Sequence, residues 1–492
     1  MLRQVAYHMQ AADQGLAGNL IRGEDLERIL TGYLKSIEVS QARTVARLLI
    51  EQLRSRNFIL CYLGADSYGF VHRTFLEYFC ACEFVEGFGK RGLEGGLTIE
   101  ELKTEVFGKH WQEETWHEVL RLIAGMIDTS FAGEMINYLM EQDSEPEEWS
   151  NLFLAAKCLS EVKNRFQIRD IDNKLLEQIK ALTQYEDYLG RNYQFLSQAV
   201  EAIATTWKDH PETLPWLQTC VQLNNNLWDL WVRKAAVHEL ARGWQDDFDT
   251  LPILKACIQS DSQPAVRQTA MEELVRGWKD DPNTLTILKT CIHFDDDFHV
   301  RSAAMEELVR GWKDDPDTLA ILKTRALCDD NGIVRMVAIE QLACGWKDDP
   351  GTLPWLKTCA LSGNDWEVQM VAIKELIRGW KDDPDTLPWL KTRALSDTDE
   401  YVRRGAVREL AKGWKDEPGM FEFLCDRALN DPFERKEDWE DNPRQLALEI
   451  IIKQYPDCPQ TLLLCKDRAE NDPDEKVREF AREKLEQLEG QN

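Results

Sequence analysis

"VRGWKDDPNTLTILKT" occupies residues 275–290, and "VRGWKDDPDTLAILKT" follows at 309–324. Its tryptophan recurs at Trp207, Trp244, Trp278, Trp312, Trp346, Trp380 and Trp414, with a first gap of 37 residues and every later gap 34. An eighth copy opens at Tyr455 ("YPDCPQTLLLCKDRA"); the first copy carries a three-residue insertion near "NNNLWDLW" and the seventh carries seven extra residues within "FERKEDWEDNP". Each copy predicts two helices. The first is expected to open at Asp-Pro, as in Asp281-Pro282, Asp315-Pro316 and Asp383-Pro384. There aspartate serves as N-cap, and proline suits the first helical position. Leu285, Leu288 and Ile292 then fall on one face. The second helix starts at a Val-Arg pair, buries Val266, Ala270 and Leu274, and is expected to end at Arg276-Gly277 with the glycine left-handed. Trp278 is then free to fold over the helix end, and Lys279 falls on a solvated turn. One such unit cannot bury its own apolar face, so the copies must stack.

A 34-residue period is shared with tetratricopeptide repeats, but their W-x-x-L-G-x-x-Y pattern is not followed here, where Trp usually precedes Lys-Asp-Asp-Pro. The other half of the unit resembles HEAT repeats, which carry an Asp six residues before the Arg of a Val-Arg pair. The match appears in Asp261/Val266-Arg267, Asp295/Val300-Arg301, Asp329/Val334-Arg335, Asp397/Val402-Arg403 and Asp472/Val477-Arg478. Three copies depart: Leu227 stands in the Asp place before Val232-Arg233, Val368-Gln369 lacks the arginine, and Pro443-Arg444 lacks the valine. The resemblance implies a hydrogen-bonded Asp/Arg ladder between layers, with Asp295 and Arg301 as one buried pair. Recurring residues describe scaffolding, so a ligand has to be read by columns that vary. One such column runs Cys257, Cys291, Arg325, Cys359, Arg393 and Arg427; it either faces a groove or varies with packing.

The chain has 492 residues, enough for two or three domains. Its net charge is −28, from 87 acidic and 59 basic residues. That balance repels phosphate backbones and anionic membranes, which argues against nucleic acid and lipid as partners. No signal peptide and no run of about 18 apolar residues is evident, so a cytoplasmic location is expected. None of the thirteen cysteines has C-x-x-C spacing. They read as reduced, buried thiols, and no metal site is assigned.

Residues 1–200 lack the period. "EDLERILTGYLKSI" and "QARTVARLLIEQLRSR" read as amphipathic helices, and "FILCYL"–"GADS"–"YGFVH" reads as a β-hairpin around a four-residue turn. Helices followed by such a wing suggest a winged-helix domain. "FVHRTFLEYFCACEFV" (70–85) resembles the F-x-H-x-[ST]-F-x-E-[FY] motif that closes this domain in NACHT-type signalling NTPases, the NOD-like proteins of the STAND class. The matching residues are Phe70, His72, Thr74, Phe75, Glu77 and Tyr78. "HWQEETWHEVLRLIAGMID" (110–128) resembles the W-x-E-V-x-x-L-x-A-G run of the helical domain that follows, and cyanobacterial NACHT proteins ending in HEAT repeats combine these parts in this order. The resemblance implies three segments: a winged helix (1–85), a helical linker domain (86–200) and a HEAT solenoid of eight repeats (201–492). The expected fold class is mainly α, a HEAT-type solenoid behind a small winged-helix domain and a helical domain. The resemblance also implies that His72 contacts the β-phosphate of ADP once an NTPase core is present, whereas Phe75, Tyr78 and Phe79 are read as core aromatics.

That NTPase core is missing. "GFGKRG" (87–92) has Gly89-Lys90 but lacks the earlier glycine of G-x-x-x-x-G-K-[ST] and has Arg91 in place of Ser/Thr. No catalytic residue is assigned. The chain resembles the C-terminal part of a NACHT protein, and ADP or ATP with Mg belongs to a core supplied in cis or in trans. Arg43, Arg47, Arg54 and Arg56 raise a DNA-binding reading, but residues 1–85 hold nine basic and nine acidic side chains and are neutral. The leading reading is the regulatory and sensor portion of a NACHT-type NTPase, its solenoid recognising a protein trigger, with antiphage defence as one setting. The alternatives are a free-standing HEAT scaffold and a HEAT-type bilin lyase or chaperone.

Overall fold

A computed structural model describes residues 1–12, 19–55, 59–93, 96–142, 149–184, 193–223, 229–361 and 365–489. The chain divides into two compact units, Met1–Cys257 and Ile258–Asn492. The copy-one insertion with Leu227, and Arg56 of the DNA-binding reading, lie outside the described residues.

The first unit opens in the order α1 (Leu2–Gln10), β1 (Ile21–Arg22), α2 (Gly23–Ser36), α3 (Ala42–Ser55), β2 (Leu60–Gly64) and β3 (Ser67–Phe70). The central β3 pairs antiparallel with both neighbours, Tyr68 opposite Ile21 and Phe70 opposite Leu60. This is a winged-helix-like arrangement. Leu26, Leu30 and Leu34 recur every four residues along α2 and bury that face; Leu60, Tyr68 and Phe70 supply the sheet's side of the core. The wing turns tighter than expected: Ala65 and Asp66 alone, at φ 47° and 56°, connect Gly64 to Ser67. Such left-handed pairs match strand twist in two-residue hairpins. The turn also touches α2, since Gly23 N–H donates to the Asp66 carbonyl at 2.9 Å. A Cβ at position 23 would meet Asp66 Oδ2 at 2.5 Å, so a larger residue there requires the Asp66 carboxylate to turn aside.

Helix α4 (Arg73–Gly89) leaves the wing and carries α1 along its side, with Tyr7 set edge-on to Phe84 at 5.4 Å. "GFGKRG" closes α4: Phe88 is buried, Lys90 pairs with Glu86 at 3.0 Å, and Arg91 lies 4.6 Å over the Phe88 ring. One short turn, α5 (Ile99–Glu101), widens into a π-helix over Leu102–Gly108. Paired helices follow: α6 (Glu114–Met126), α7 (Thr129–Met140), α8 (Ser150–Ser160), α9 (Arg169–Leu182), α10 (Gln194–Thr206), α11 (Thr213–Val221) and α12 (Asp229–Gly243). Helices α4, α6, α8, α10 and α12 pack in succession, while α7, α9 and α11 lie against α8, α10 and α12. Layered helix pairs therefore begin before the first tryptophan repeat. Helix α13 (Thr250–Ser260) runs across the boundary between the units.

In the second unit the second helices form one row: α14 (Pro264–Gly277), α16 (Phe298–Trp312), α18 (Gly332–Gly345), α20 (Trp366–Trp380), α22 (Glu400–Gly413), α24 (Pro443–Gln454) and α26 (Glu475–Glu489). The first helices, α15 (Thr284–Phe294), α17 (Thr318–Cys328), α19 (Thr352–Cys359), α21 (Thr386–Ser396), α23 (Met420–Asn430) and α25 (Pro459–Asn471), each lie on the second helix of the same layer. Val266, Ala270 and Leu274 are fully buried, as their four-residue spacing predicts.

Three local expectations are corrected. The first helices α15, α17 and α21 start at threonine, two residues past the proline of Asp-Pro. Asp281 instead closes a turn, its Oδ1 accepting from Asn283 N–H at 2.9 Å, while buried Thr284 Oγ1 donates to the Trp278 carbonyl at 2.8 Å. Side-chain caps sit on the second helices, where Asp297, Asn331, Asp365 and Asp399 accept from the first-turn N–H groups. Gly277 is not left-handed; positive-φ glycines among the described residues are Gly64, Gly92 and Gly419. Helix α14 ends through Trp278 N–H donating to the Leu274 carbonyl at 2.8 Å.

The ladder exists with a shifted register. Arg301 meets only the backbone carbonyl of Asp295, at 2.9 Å, and gives its fork to the carboxylate of Asp329 one layer on, at 2.8 and 3.2 Å. Asp295 is in turn held by Arg267 of the layer before, at 2.7 and 2.9 Å. Arg403 repeats this with Asp431, and Arg444 with Asp472 despite the lost valine. Arg335 reaches Asp365. The Arg301 and Asp329 side chains are 8% and 1% exposed. Removing one partner of such a pair costs about 3–5 kcal/mol. Arg301→Ala should lower the opening free energy of α16 and α18 by that amount in native-state hydrogen exchange. Lys279→Ala should cost only about 0.5–1 kcal/mol, since the exposed Lys279 Nζ stands 5.7 Å over the Trp312 ring. In the wild type, α20, where Gln369 replaces the ladder arginine, should exchange faster than α16.

Candidate interaction surfaces

The strand-to-helix junction places His72 at the N-cap position of α4, in extended backbone, exposed and without a side-chain bond to the helix. Its ring lies 6.2 Å from that of Phe75. The residues matched to the NACHT motif divide between inside and outside. Phe70 is buried with its ring 6.0 Å from Phe79, and buried Glu77 pairs with Arg73 at 2.7 Å. Thr74, Phe75 and Tyr78 face solvent beside exposed Val71. The expectation that Phe75 and Tyr78 belong to the core is therefore wrong. Leu76, Cys80 and Ala81 fill the buried stripe of α4, and a helix this apolar on all sides presents its remaining aromatics outward.

Two of the four arginines of the DNA-binding reading are engaged. Arg43 and Arg47 bond Glu27 of α2 at 2.6 and 3.1 Å. In the 110–128 segment Trp116, Val119, Leu120 and Ile123 are core, His110 stacks on Trp116 at 3.7 Å, and His117 bonds the Trp111 carbonyl at 2.7 Å. Burial lowers the His117 pKa. The thirteen cysteines are free thiols, and burial raises Cys158, Cys220 and Cys359 to about 12. No helix among the described residues is long and apolar enough to cross a membrane.

The variable column turns inward. Cys257, Cys291, Cys359 and Arg427 are buried, and Arg325 and Arg393 reach Asp329 and Asp397 of their own layers at 3.3 and 3.5 Å. It therefore lines no groove. What varies outside is different. Leu327, Leu361, Leu395 and Leu429, one per layer, are exposed at or just past the ends of the first helices. On the second helices one outward column reads half-buried Glu272 and then exposed Glu306, Glu340, Lys374 and Arg408, and so changes sign between α18 and α20. Beside it Glu273, Glu307 and Glu375 are buried, each bonded to the arginine three residues on, at 2.6, 2.6 and 3.2 Å.

HEAT repeats match residues 179–275, 254–343 and 353–440, together just over half the chain. The chain belongs to the HEAT-repeat family. Its matched region opens before Trp207, where layered helix pairs are already stacking. No curated protein matches this chain. Among solved structures, the SYS-1/POP-1 complex aligns over 95% of this chain and 96% of that one, at 10% identity and a TM-score of 0.21. A likeness that low says nothing about what this chain binds.

The charges along the HEAT stack give stability two opposed pH responses. Burial raises the carboxyls of Glu307 and Glu375 above the ordinary glutamate range. Their contribution is greatest below the unfolded value, about 4.3, and is lost as pH rises through the folded one. Asp329 is depressed: burial opposes its charge, but Arg301 and the Asn331 N–H outweigh burial. Its contribution is full above about 3.9 and disappears as pH falls through the folded value. The melting temperature should rise as pH drops from neutrality towards the unfolded glutamate value of about 4.3 and then fall below about 3.9. A Glu307→Gln/Glu375→Gln variant should show a shallower rise with the same acid loss.

Proposed function

We propose that this chain is the regulatory and sensor portion of a NACHT-type signalling NTPase, in which the HEAT solenoid recognises a protein trigger and antiphage defence is the process served. The observation that carries this reading is the exposed face formed by Val71, His72, Phe75 and Tyr78, at the end of a winged-helix-like domain that feeds helical layers and then HEAT repeats. Large apolar side chains grouped beside one exposed histidine fit a surface that another domain covers. In that arrangement a P-loop core packs over the start of α4, and His72 meets the β-phosphate of the ADP held by the core. The chain itself carries no catalytic residue in this scheme; nucleotide and Mg belong to the core. The solenoid suits protein recognition because its recurring residues are spent on the ladder and the turns, while exposed columns differ from layer to layer.

The test supplies a NACHT-type P-loop core in trans. Amide exchange over residues 70–79 should slow on mixing, and ADP should leave the complex more slowly than it leaves the core alone. Phe75→Asp should weaken association about tenfold, the equivalent of about 1.4 kcal/mol. His72→Ala should leave association intact and shorten ADP retention. Unchanged exchange over 70–79, or ATP turnover by this chain alone, overturns the reading.

A further inference from the structure

The exposed face of α20 and α22 stands apart from the layers before it. Glu272, Glu306 and Glu340 occupy one column on α14, α16 and α18, and the same column then carries Lys374 and Arg408. Both cations are exposed, and among the described residues neither forms an ion pair. One turn further along, Arg378 and Lys412 pair with Glu375 and Glu409 of their own helices, at 3.2 and 2.9 Å. Those carboxylates are 8% and 13% exposed and the cations 62% and 64%, so positive charge is what the surface displays. One turn the other way, Arg404 lies 5.6 Å over Tyr401, whose ring stacks on Trp366 at 5.1 Å and 28°. Arg404 already holds a carboxylate, that of Asp441, from the acidic insertion "KEDWEDN" (436–442) of the seventh copy.

We propose that the face of α20 and α22 binds an acidic peptide segment of a partner protein, its carboxylates meeting Lys374 and Arg408 and an apolar side chain resting on the Trp366–Tyr401 pair. This inference rests on the solenoid being a recognition module. Asp441 on Arg404 shows the chemistry the face accepts, and two unpaired cations one layer apart show where it is unfulfilled. Nucleic acid fits less well. A duplex carries one phosphate charge per about 1.7 Å and would extend over the glutamates of α14–α18, in a chain of net charge −28.

The probes are a fluorescein-labelled peptide of alternating Glu and Ala with one central Trp, its Lys counterpart, and single-stranded oligothymidylate, each titrated by anisotropy into the full chain. The Glu peptide should bind, and binding should weaken as salt rises. Lys374→Glu/Arg408→Glu should weaken it about tenfold or more, while Glu272→Gln/Glu306→Gln should leave it unchanged or tighter. Lys374, Arg408 and Glu306 are exposed and Glu272 is half-buried, and circular dichroism melting checks that both variants fold. Equal binding to the double-reversal variant, tighter binding of the Lys peptide or of oligothymidylate, or no binding of the Glu peptide overturns the proposal. Failure here with intact association to a P-loop core would spare the wider reading; loss of core association with the peptide still bound would do the reverse.

Discussion

An arginine that leaves water must find an acceptor for each donor it carries, and in this chain that requirement sets the step between layers. Arg301 satisfies it twice: one side of the guanidinium takes the Asp295 carbonyl of its own layer, and the fork takes the Asp329 carboxylate of the next. A fork on a carboxylate fixes direction as well as distance. A second helix that carries this arginine is thereby held at its N-terminal end by the turn before it and the turn after it. Desolvation makes the pair a modest net gain and a heavy loss when broken, so the ladder acts more as a register than as a reserve of stability. Arg403–Asp431 and Arg444–Asp472 show that the device survives a lost valine and a lengthened turn.

The inward column becomes intelligible in this setting. Asp397 stands one layer after Gln369, the position where other layers carry the ladder arginine, and Arg393 of its own layer comes to 3.5 Å. Asp472 receives both Arg444 and Arg468. Alternation between cysteine and arginine in this column therefore adjusts the charge around a buried carboxylate. The threonine after Asp-Pro performs a parallel task in uncharged form. Its hydroxyl satisfies the tryptophan carbonyl that the departing helix leaves open, at Thr284 and again at Thr318, and Thr461 of the last copy does the same for the Tyr455 carbonyl.

Much of this was legible in the sequence, and the failures have physical causes. Two helices per copy follow from period and residue type, and the ladder residues from the resemblance to HEAT repeats. The ladder's direction does not. Asp295 lies six residues from Arg301 in sequence and one layer from Arg267 in space, and residue spacing cannot weigh one against the other. Asp-Pro read as a helix start because both residues favour that place; the helix starts two residues past the proline, at a buried threonine that, at Thr284 and Thr318, bonds the tryptophan carbonyl. Phe75 and Tyr78 read as core because aromatic residues usually are. On α4, apolar on nearly every side, only packing decides which side stays open. The sequence does carry a signal for the first-helix start, a Thr six residues after every Trp in the central copies.

Near-identical copies might be expected to present identical surfaces, and the ladder explains why they need not. Residues that hold layers together are buried, and changing them costs several kcal/mol. Exposed side chains, paired or not, are worth about 0–1 kcal/mol and can change sign with little effect on the fold. The step from Glu340 to Lys374 is of this second kind. It sits in a copy whose Val-Ile core and Gly-Trp-Lys-Asp-Asp-Pro turn are otherwise standard. A change that stability neither requires nor opposes is where binding can be specified independently of folding, and in this unit the stripe from Glu272 to Arg408 has that freedom.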